Sequence, residues 1–268
     1  MLLHLAHALV TPAPLAHRRL GLVGDSLRTG ARARRCRAAW APHLAATRAA
    51  IEASIEAGPG RGTVVVLGSG HLDDVPLARL AAAFRRVVLV DAVHPWRSRW
   101  ATRAHPNVEH LSADLGGAVR WWREGTGTIA PTLPSVCTET GTDLVISANL
   151  LSQLPIRPVE RLERSRRGVG GVSPDEGDAL GRAIVAGHLS ALAGVTARVC
   201  LVTDLDEIEE DRAGRTIGRQ DLLYGVALLA PERTWLWDIA PFGEIGRDRR
   251  LIHRVAAFPD WHDRNGTN

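Results

Sequence analysis

TVVVLGSGHLDDVPLARLAAAFRRVVLVD, residues 63–91, runs through two apolar segments separated by a glycine turn and a helical stretch. Thr63–Leu67 is β-branched and apolar throughout, the pattern of a strand buried on both faces. Gly68-Ser69-Gly70 breaks it, a helix follows over roughly Asp74–Phe84, and Val87–Val90 forms a second strand that ends in Asp91. A strand, helix, strand unit of this length is the nucleotide-binding half of a doubly wound sheet, in which ligands bind beyond the carboxyl ends of the strands. Glycine at the first of those ends lets a ligand approach the backbone, and free amides at the helix start are available to an anion. Asp91 stands 21 residues beyond Gly70, where a carboxylate is placed to take both hydroxyls of a ribose.

The same reading extends in both directions. Val108–Leu111, Asp143–Ser147 and Ala197–Thr203 are further strands, and Asp175–Ala193 reads as a helix. Thr234–Ile239 and Leu251–Phe258 lie close enough together to pair antiparallel at one sheet edge. Loops are expected around His94, Pro95, Trp96 and Trp100, through 116–141 with its Trp121-Trp122 pair, and over the arginine- and glycine-rich Arg161–Gly171. Residues 1–57 read as helical, with turns near Thr11–Pro14 and Gly21–Gly24. Asp25-Ser26 is placed as a cap, Trp40, Leu44 and Ile51 form an apolar stripe, and Gly58-Pro59-Gly60 is the stop. The expected fold class is α/β: a doubly wound, mainly parallel seven-stranded sheet with an antiparallel C-terminal strand pair. It occupies 61–268 and is preceded by a helical N-terminal extension over 1–60.

The 268 residues are 45% hydrophobic and 23% charged, which is ordinary for a globular chain. All 33 basic residues are arginine, so lysine nucleophiles and Schiff bases are excluded. Residues 1–50 carry eight Arg against Asp25 alone, leaving the rest of the chain at −3 (+4 less +7). Nucleic acid could be held by that basic segment, in which Arg28, Arg32 and Arg35 share one helical face. The alternatives are a solvated surface, or a wall over an acceptor site. Three distant cysteines form neither a disulfide framework nor a zinc knuckle, which fits a reducing compartment and, by default, the cytoplasm. MLLHLAHALV makes a poor signal peptide and nothing approaches transmembrane length, although an Arg-rich, acid-poor start also matches a transit peptide.

The start of the first helix separates two cofactor classes. A dinucleotide site needs G-x-G-x-x-G/A with a pyrophosphate on the helix N-terminus. Here the third small position is Asp73, followed by Asp74, and two carboxylates would repel a diphosphate. S-adenosyl-L-methionine carries a positive sulfonium and ammonium and no phosphate, so nearby acids favour it. The order VVVLGSG, VVLVD, VEHLSADL, DLVISANLLSQLP and ARVCLVTD resembles the class I S-adenosylmethionine-dependent methyltransferases from residue 63 to about 258. That resemblance implies that Gly68, Ser69 and Gly70, with His71, form the loop under the methionine moiety. It also implies that Asp91 with Ala92 holds the ribose, that Asp114 with Leu115 meets the adenine amino group, and that Asn149 and Leu150 face the methionine end and the acceptor. Two positions depart from the family pattern: Val66 stands where an acid is usual, and Leu72 where a third glycine is usual. A catalytically silent methyltransferase-like scaffold is therefore a second reading, and an NAD-dependent oxidoreductase a third.

Methyl transfer is an in-line displacement helped chiefly by positioning, so no signature base is required. Candidates for acceptor contact or catalysis lie past the fourth and fifth strands: Asn149, Gln153, Asp204, Asp206 and Glu207. The acid run to Asp211 reads as a solvated helix start, with a divalent-metal site as the alternative. The eleven histidines lack zinc spacing, and no metal is expected; His71 is placed near the cofactor and His94 on the acceptor side.

Overall fold

The computed structural model describes residues 11–119, 131–165 and 174–261. MLLHLAHALV, the Trp121-Trp122 pair and positions 166–171 lie outside the described residues. Among the described residues eight strands form one sheet: β1 Thr63–Leu67, β2 Arg86–Asp91, β3 Val108–Ser112, β4 Thr142–Ala148, β5 Arg198–Asp211, β6 Thr216–Asp221, β7 Arg233–Ala240 and β8 Arg249–Phe258. Their order is β3-β2-β1-β4-β5-β8-β7, with β6 pairing β5 off that path. The first five strands are mutually parallel, whereas β8 runs antiparallel to both β5 and β7. The chain builds outward from β1 to β3 and then returns to lay β4 on the other side of β1. This places a topological switch point beyond the carboxyl ends of β1 and β4. The sheet is doubly wound and mainly parallel with an antiparallel C-terminal pair; it has eight strands instead of the expected seven.

Helices cover both faces: α1 Leu15–Arg19, α2 Leu22–Arg35, α3 Arg37–Ala57, α4 Leu77–Ala83, α5 Trp96–Ala101, α6 Ile156–Ser165 and α7 Pro174–Ala193. Val64 and Val66 of β1 belong to an apolar cluster with Trp40, Ile51 and Ile55 of α3 and Leu80 of α4. Val65 and Leu67 point the other way, into a cluster with Val185, Leu189 and Leu192 of α7. Burial on both faces is why these strands read as unbroken apolar runs.

Several expectations fail at the edges of elements. The acid run after Thr203 is no helix start. It continues β5, whose carboxylates meet cations across the ladder: Glu207 with His253 at 3.1 Å, Glu209 with Arg249 at 3.1 Å and Glu210 with Arg250 at 2.8 Å. Opposite charges facing across strands support the pairing. Asp25 does not cap α2, which already starts at Leu22 behind Gly21 at φ +82°. Nor does the first helix of the α/β unit start at Asp74: α4 begins at Leu77, with Pro76 as its N-cap. Trp96 and Trp100 lie on the short helix α5 and not in a loop, and Arg161–Arg164 belong to α6. The cysteines are free and buried, and burial pushes the Cys137 and Cys200 thiols up to about 12. Among the described residues no helix is long and apolar enough to cross a membrane.

Candidate functional site

At the switch point lies a cavity of about 750 Å³. Its floor is the set of strand ends. Gly68 and Gly70 adopt φ +75° and +42°, in the left-handed region that a side chain disfavours. A Cβ on Gly68 would also stand 3.0 Å from Leu150 Cβ, so the turn following β1 nests against the turn following β4. The turn's amides are spent within the protein. Gly68 and Ser69 N–H both donate to Val90 O (2.9 and 3.1 Å), Gly70 N–H donates to Asp91 Oδ2 (2.8 Å), and Leu72 N–H donates to Ser69 O (3.0 Å). The amides of Gly68, Ser69 and Gly70 are thus not free for an anion. Asp91 also accepts from Val93 N–H at 3.0 Å through Oδ1, leaving each carboxylate oxygen a further lone pair.

All ten residues expected at the cofactor line this one cavity: Gly68, Ser69, Gly70, His71, Asp91 and Ala92, with Asp114, Leu115, Asn149 and Leu150. Gln153 and Asp204 join them; Asp206, Glu207 and His94 do not. Asp206 is held by Arg254 (2.8 Å) and Arg219 (3.2 Å), Glu207 by His253. His94 is buried and bonds Leu111 O at 3.1 Å, so it does not reach the acceptor side. Asp114 accepts from the N–H groups of Ala118 (3.2 Å) and Val119 (2.6 Å), which makes it a cap as well as a wall residue. Leu72, at the third glycine position, takes φ +63°, so this backbone keeps the left-handed conformation without the glycine, against a steric penalty of about 1–3 kcal/mol.

Asn149 follows β4 at φ +52°, a conformation asparagine tolerates. Its Nδ2 donates to Asp74 Oδ2 at 2.7 Å and lies 3.3 Å from His43 Nε2, and its backbone carbonyl accepts from Gln153. Burial raises the Asp74 carboxyl above its usual range, against the hydrogen bond from Asn149. Among the described residues Ser69 Oγ and Asn149 Oδ1, both buried, have no partner.

The roof is α2. Arg28, Arg32 and Arg35 all face the cavity, as their common helical face implies, while Arg34 and Arg37 do not. The roof charges are paired: Arg28 with Asp25, Arg32 and Arg35 with Glu244. His71 Nε2 meets Ser26 O at 2.8 Å and ties the glycine turn to this helix.

At the inner end the sequence offered Asp204 as a candidate and Trp40 as an apolar stripe residue, but not His43, Trp237 or His253. His43 stacks on Trp237 with ring centroids 3.9 Å apart, and Trp40 meets the same indole edge-on at 5.0 Å. Trp235 Nε1–H donates to His43 Nδ1 at 3.1 Å. Burial pushes His43 down to about 4, against the pull of Asp204. Burial would lower His253 too, but Asp204 and Glu207 on its two sides raise it to about 9. Asp204 itself is 2% exposed and accepts from Ser152 Oγ at 3.0 Å. Among the described residues no His, Cys, Asp and Glu side chains gather as a metal site.

No protein-family model matches the chain, and no curated protein does. Among solved structures the chain is similar to DhpI in a SAM and HEP complex, at 14% identity over 91% of this chain and 99% of that one, with a TM-score of 0.41. It is also similar to Burkholderia thailandensis 1,6-didemethyltoxoflavin-N1-methyltransferase with 1,6-didemethyltoxoflavin and S-adenosylhomocysteine bound (15%; 92% and 91% covered; 0.40). A third is the N-methyltransferase NodS from Bradyrhizobium japonicum (10%; 79% and 86%; 0.35). At these identities and TM-scores, a functional reading has to stand on the cavity.

Proposed function

We propose that the cavity binds S-adenosyl-L-methionine and that the protein transfers its methyl group in line to a small-molecule acceptor. One observation carries this reading. The amides of Gly68, Ser69 and Gly70 are spent within the protein, while Asp73, Asp91 and Asp114 line the same space. Beside the turn a diphosphate would meet carboxylates, the roof arginines being already paired with Asp25 and Glu244, whereas a sulfonium and an ammonium are stabilised by such carboxylates. The cradle fits such a ligand: two glycines open the backbone, and Ser69 Oγ and Asn149 Oδ1 are buried polar atoms that lack a partner among the described residues. Asp91 would grip the ribose through its remaining lone pairs, with Ala92 beside it. Asp114 and Leu115 would flank the adenine, and Gly68 to His71 the methionine moiety. The aspartates following the turn supply the negative charge that Val66 does not. When bound, the cofactor supplies an electrophilic methyl on sulfur. The chain's part is to hold the acceptor near Asn149, Gln153 and Asp204 and to keep water out beneath α2.

Calorimetry with S-adenosylmethionine, S-adenosylhomocysteine and NAD tests this directly. Both adenosyl compounds are expected to bind and NAD is not. Asp91→Ala is expected to lower adenosyl affinity by about tenfold, roughly 1.4 kcal/mol. Binding of NAD in their place would overturn the reading, and binding of none would favour the scaffold. Unchanged affinity in Asp91→Ala would move the ribose elsewhere.

A further inference from the structure

The inner end of the cavity has a chemistry of its own. Asp204 keeps Oδ1 buried and unpartnered, with its other oxygen taken by Ser152 and 3.4 Å from His253 Nδ1. Trp40 and Trp237, each 6% exposed, form the adjoining walls, and Leu222 and Ile239 complete an apolar lining. Three charged groups stand together there. Two carboxylates, Asp204 and Glu207, bracket His253 and hold its ring protonated, so that the three together carry a net charge of about −1. Among the described residues no arginine pairs with Asp204: its partners are Ser152 and His253, whereas Asp206, two residues on, has both Arg219 and Arg254. A buried carboxylate oxygen without a donor carries a desolvation penalty of about 1–3 kcal/mol or more, and an occupant bearing N–H groups removes it.

We propose that this inner end is an amine subsite: the acceptor is an amine with an apolar or ring-bearing body, whose nitrogen donates to Asp204 Oδ1. An amine suits it better than an alcohol for two reasons. The net charge favours a cation, and an ammonium brings up to three N–H donors where a hydroxyl brings one. The same oxygen is placed to take the proton that an ammonium must lose before its lone pair is free: the N–H bond breaks, the O–H bond forms, and the nitrogen keeps the pair. His253 acts as a positioning residue. Pinned by Glu207 at 3.1 Å, it fixes the Asp204 carboxylate from behind. Describing the amine as an acceptor rests on the methyl-transfer reading, but the subsite itself does not.

The test titrates the whole chain, with and without saturating S-adenosylhomocysteine, with benzylamine and tryptamine against benzyl alcohol and tryptophol. Binding is followed by calorimetry and tryptophan fluorescence. Each amine is expected to bind about tenfold more tightly than its alcohol. Asp204→Asn is expected to lower amine affinity by about tenfold while alcohol and S-adenosylhomocysteine affinities stay within about twofold. Equal binding of amine and alcohol to the unaltered chain overturns the proposal, and so does the absence of amine binding at about 10 mM. Neither result depends on a variant that folds. An Asp204→Asn protein that melts normally and binds amines unchanged overturns it too. Should amine preference persist while no adenosyl compound binds, the subsite stands and methyl transfer falls; the reverse pattern sinks the subsite alone.

Discussion

At the outer end of the cavity, the residues that meet are each a few positions from a strand end: Gly68–Gly70 after β1, Asp91 on β2, Asp114 after β3, Asn149 after β4. At the inner end, Trp40 and His43 come from α3, Asp204 from β5, Trp237 from β7 and His253 from β8. The outer set follows from parallel topology alone, because every parallel strand delivers its carboxyl end to the same edge. The inner set exists only once β7 and β8 have paired in a particular register, with Trp237 opposite His253, and β5 has paired with β8 to bring Glu207 opposite the same histidine. One end is specified locally and the other by long-range pairing.

The largest effect that would break this contrast lies at Val66, where the resembling family carries an acid. Here the side chain is fully buried among Ile51, Ile55, Val64 and Leu89. Val66→Asp would put a carboxylate there without a partner, and is expected to destabilise by at least about 3 kcal/mol, read from urea unfolding. A loss under about 1 kcal/mol would mean that the position opens to the cavity, and that its lack of an acid has no structural cause.

The two ends also titrate differently. His253 at about 9 lies above the unfolded histidine value of about 6.5. The stabilisation from its charged contacts is therefore fully present below about pH 6.5 and is lost as pH rises through about 9. His43 at about 4 lies below the unfolded value. Its contribution is present above about pH 6.5 and is lost as pH falls toward about 4, a loss shared by His110 and His188. Melting temperature against pH is expected to fall on both limbs. His253→Gln is expected to flatten the alkaline limb by about 1–3 kcal/mol equivalent while leaving the acid limb in place. An unchanged alkaline limb would show that the Asp204, His253, Glu207 contacts do not hold in solution.

What could be read in advance follows the same division. β1, β2 and β4 were legible because burial on both faces leaves an apolar run, and the glycines and Asp91 were legible because they punctuate such runs. The second half of β5, LDEIEED, was not. Its strand character comes from arginines and a histidine some forty residues downstream, and a local reading meets only solvated acids. β6, TIGRQD, has no apolar face to mark it and exists as a partner for that half of β5. The arginine face of α2 was visible as a periodicity, but not its place as a roof. His43 and His253 carried no signal, since a lone histidine on a helix or strand is usually core. His17, whose Nδ1 meets Ala92 O at 2.7 Å, was equally silent.

The smallest expected effect is at the seam between the legible floor and the roof. Gly30 lies inside α2, where alanine normally gains about 1 kcal/mol of helix stability. A Cβ there would stand 2.5 Å from His71 Cε1, so the ring would have to swing away and give up its contact with Ser26 O. Gly30→Ala thus sets a propensity gain against a lost latch. Thermal stability is expected to change by less than about 1 kcal/mol, while S-adenosylhomocysteine affinity falls about threefold through faster dissociation. Stopped-flow dissociation separates the two, because propensity acts on the fold and the latch acts on the ligand. Faster release with an unchanged melting temperature places α2 as a lid fastened through His71. Unchanged release means that the paired arginines alone hold the roof, and that the seam, like the inner end, is fixed from a distance.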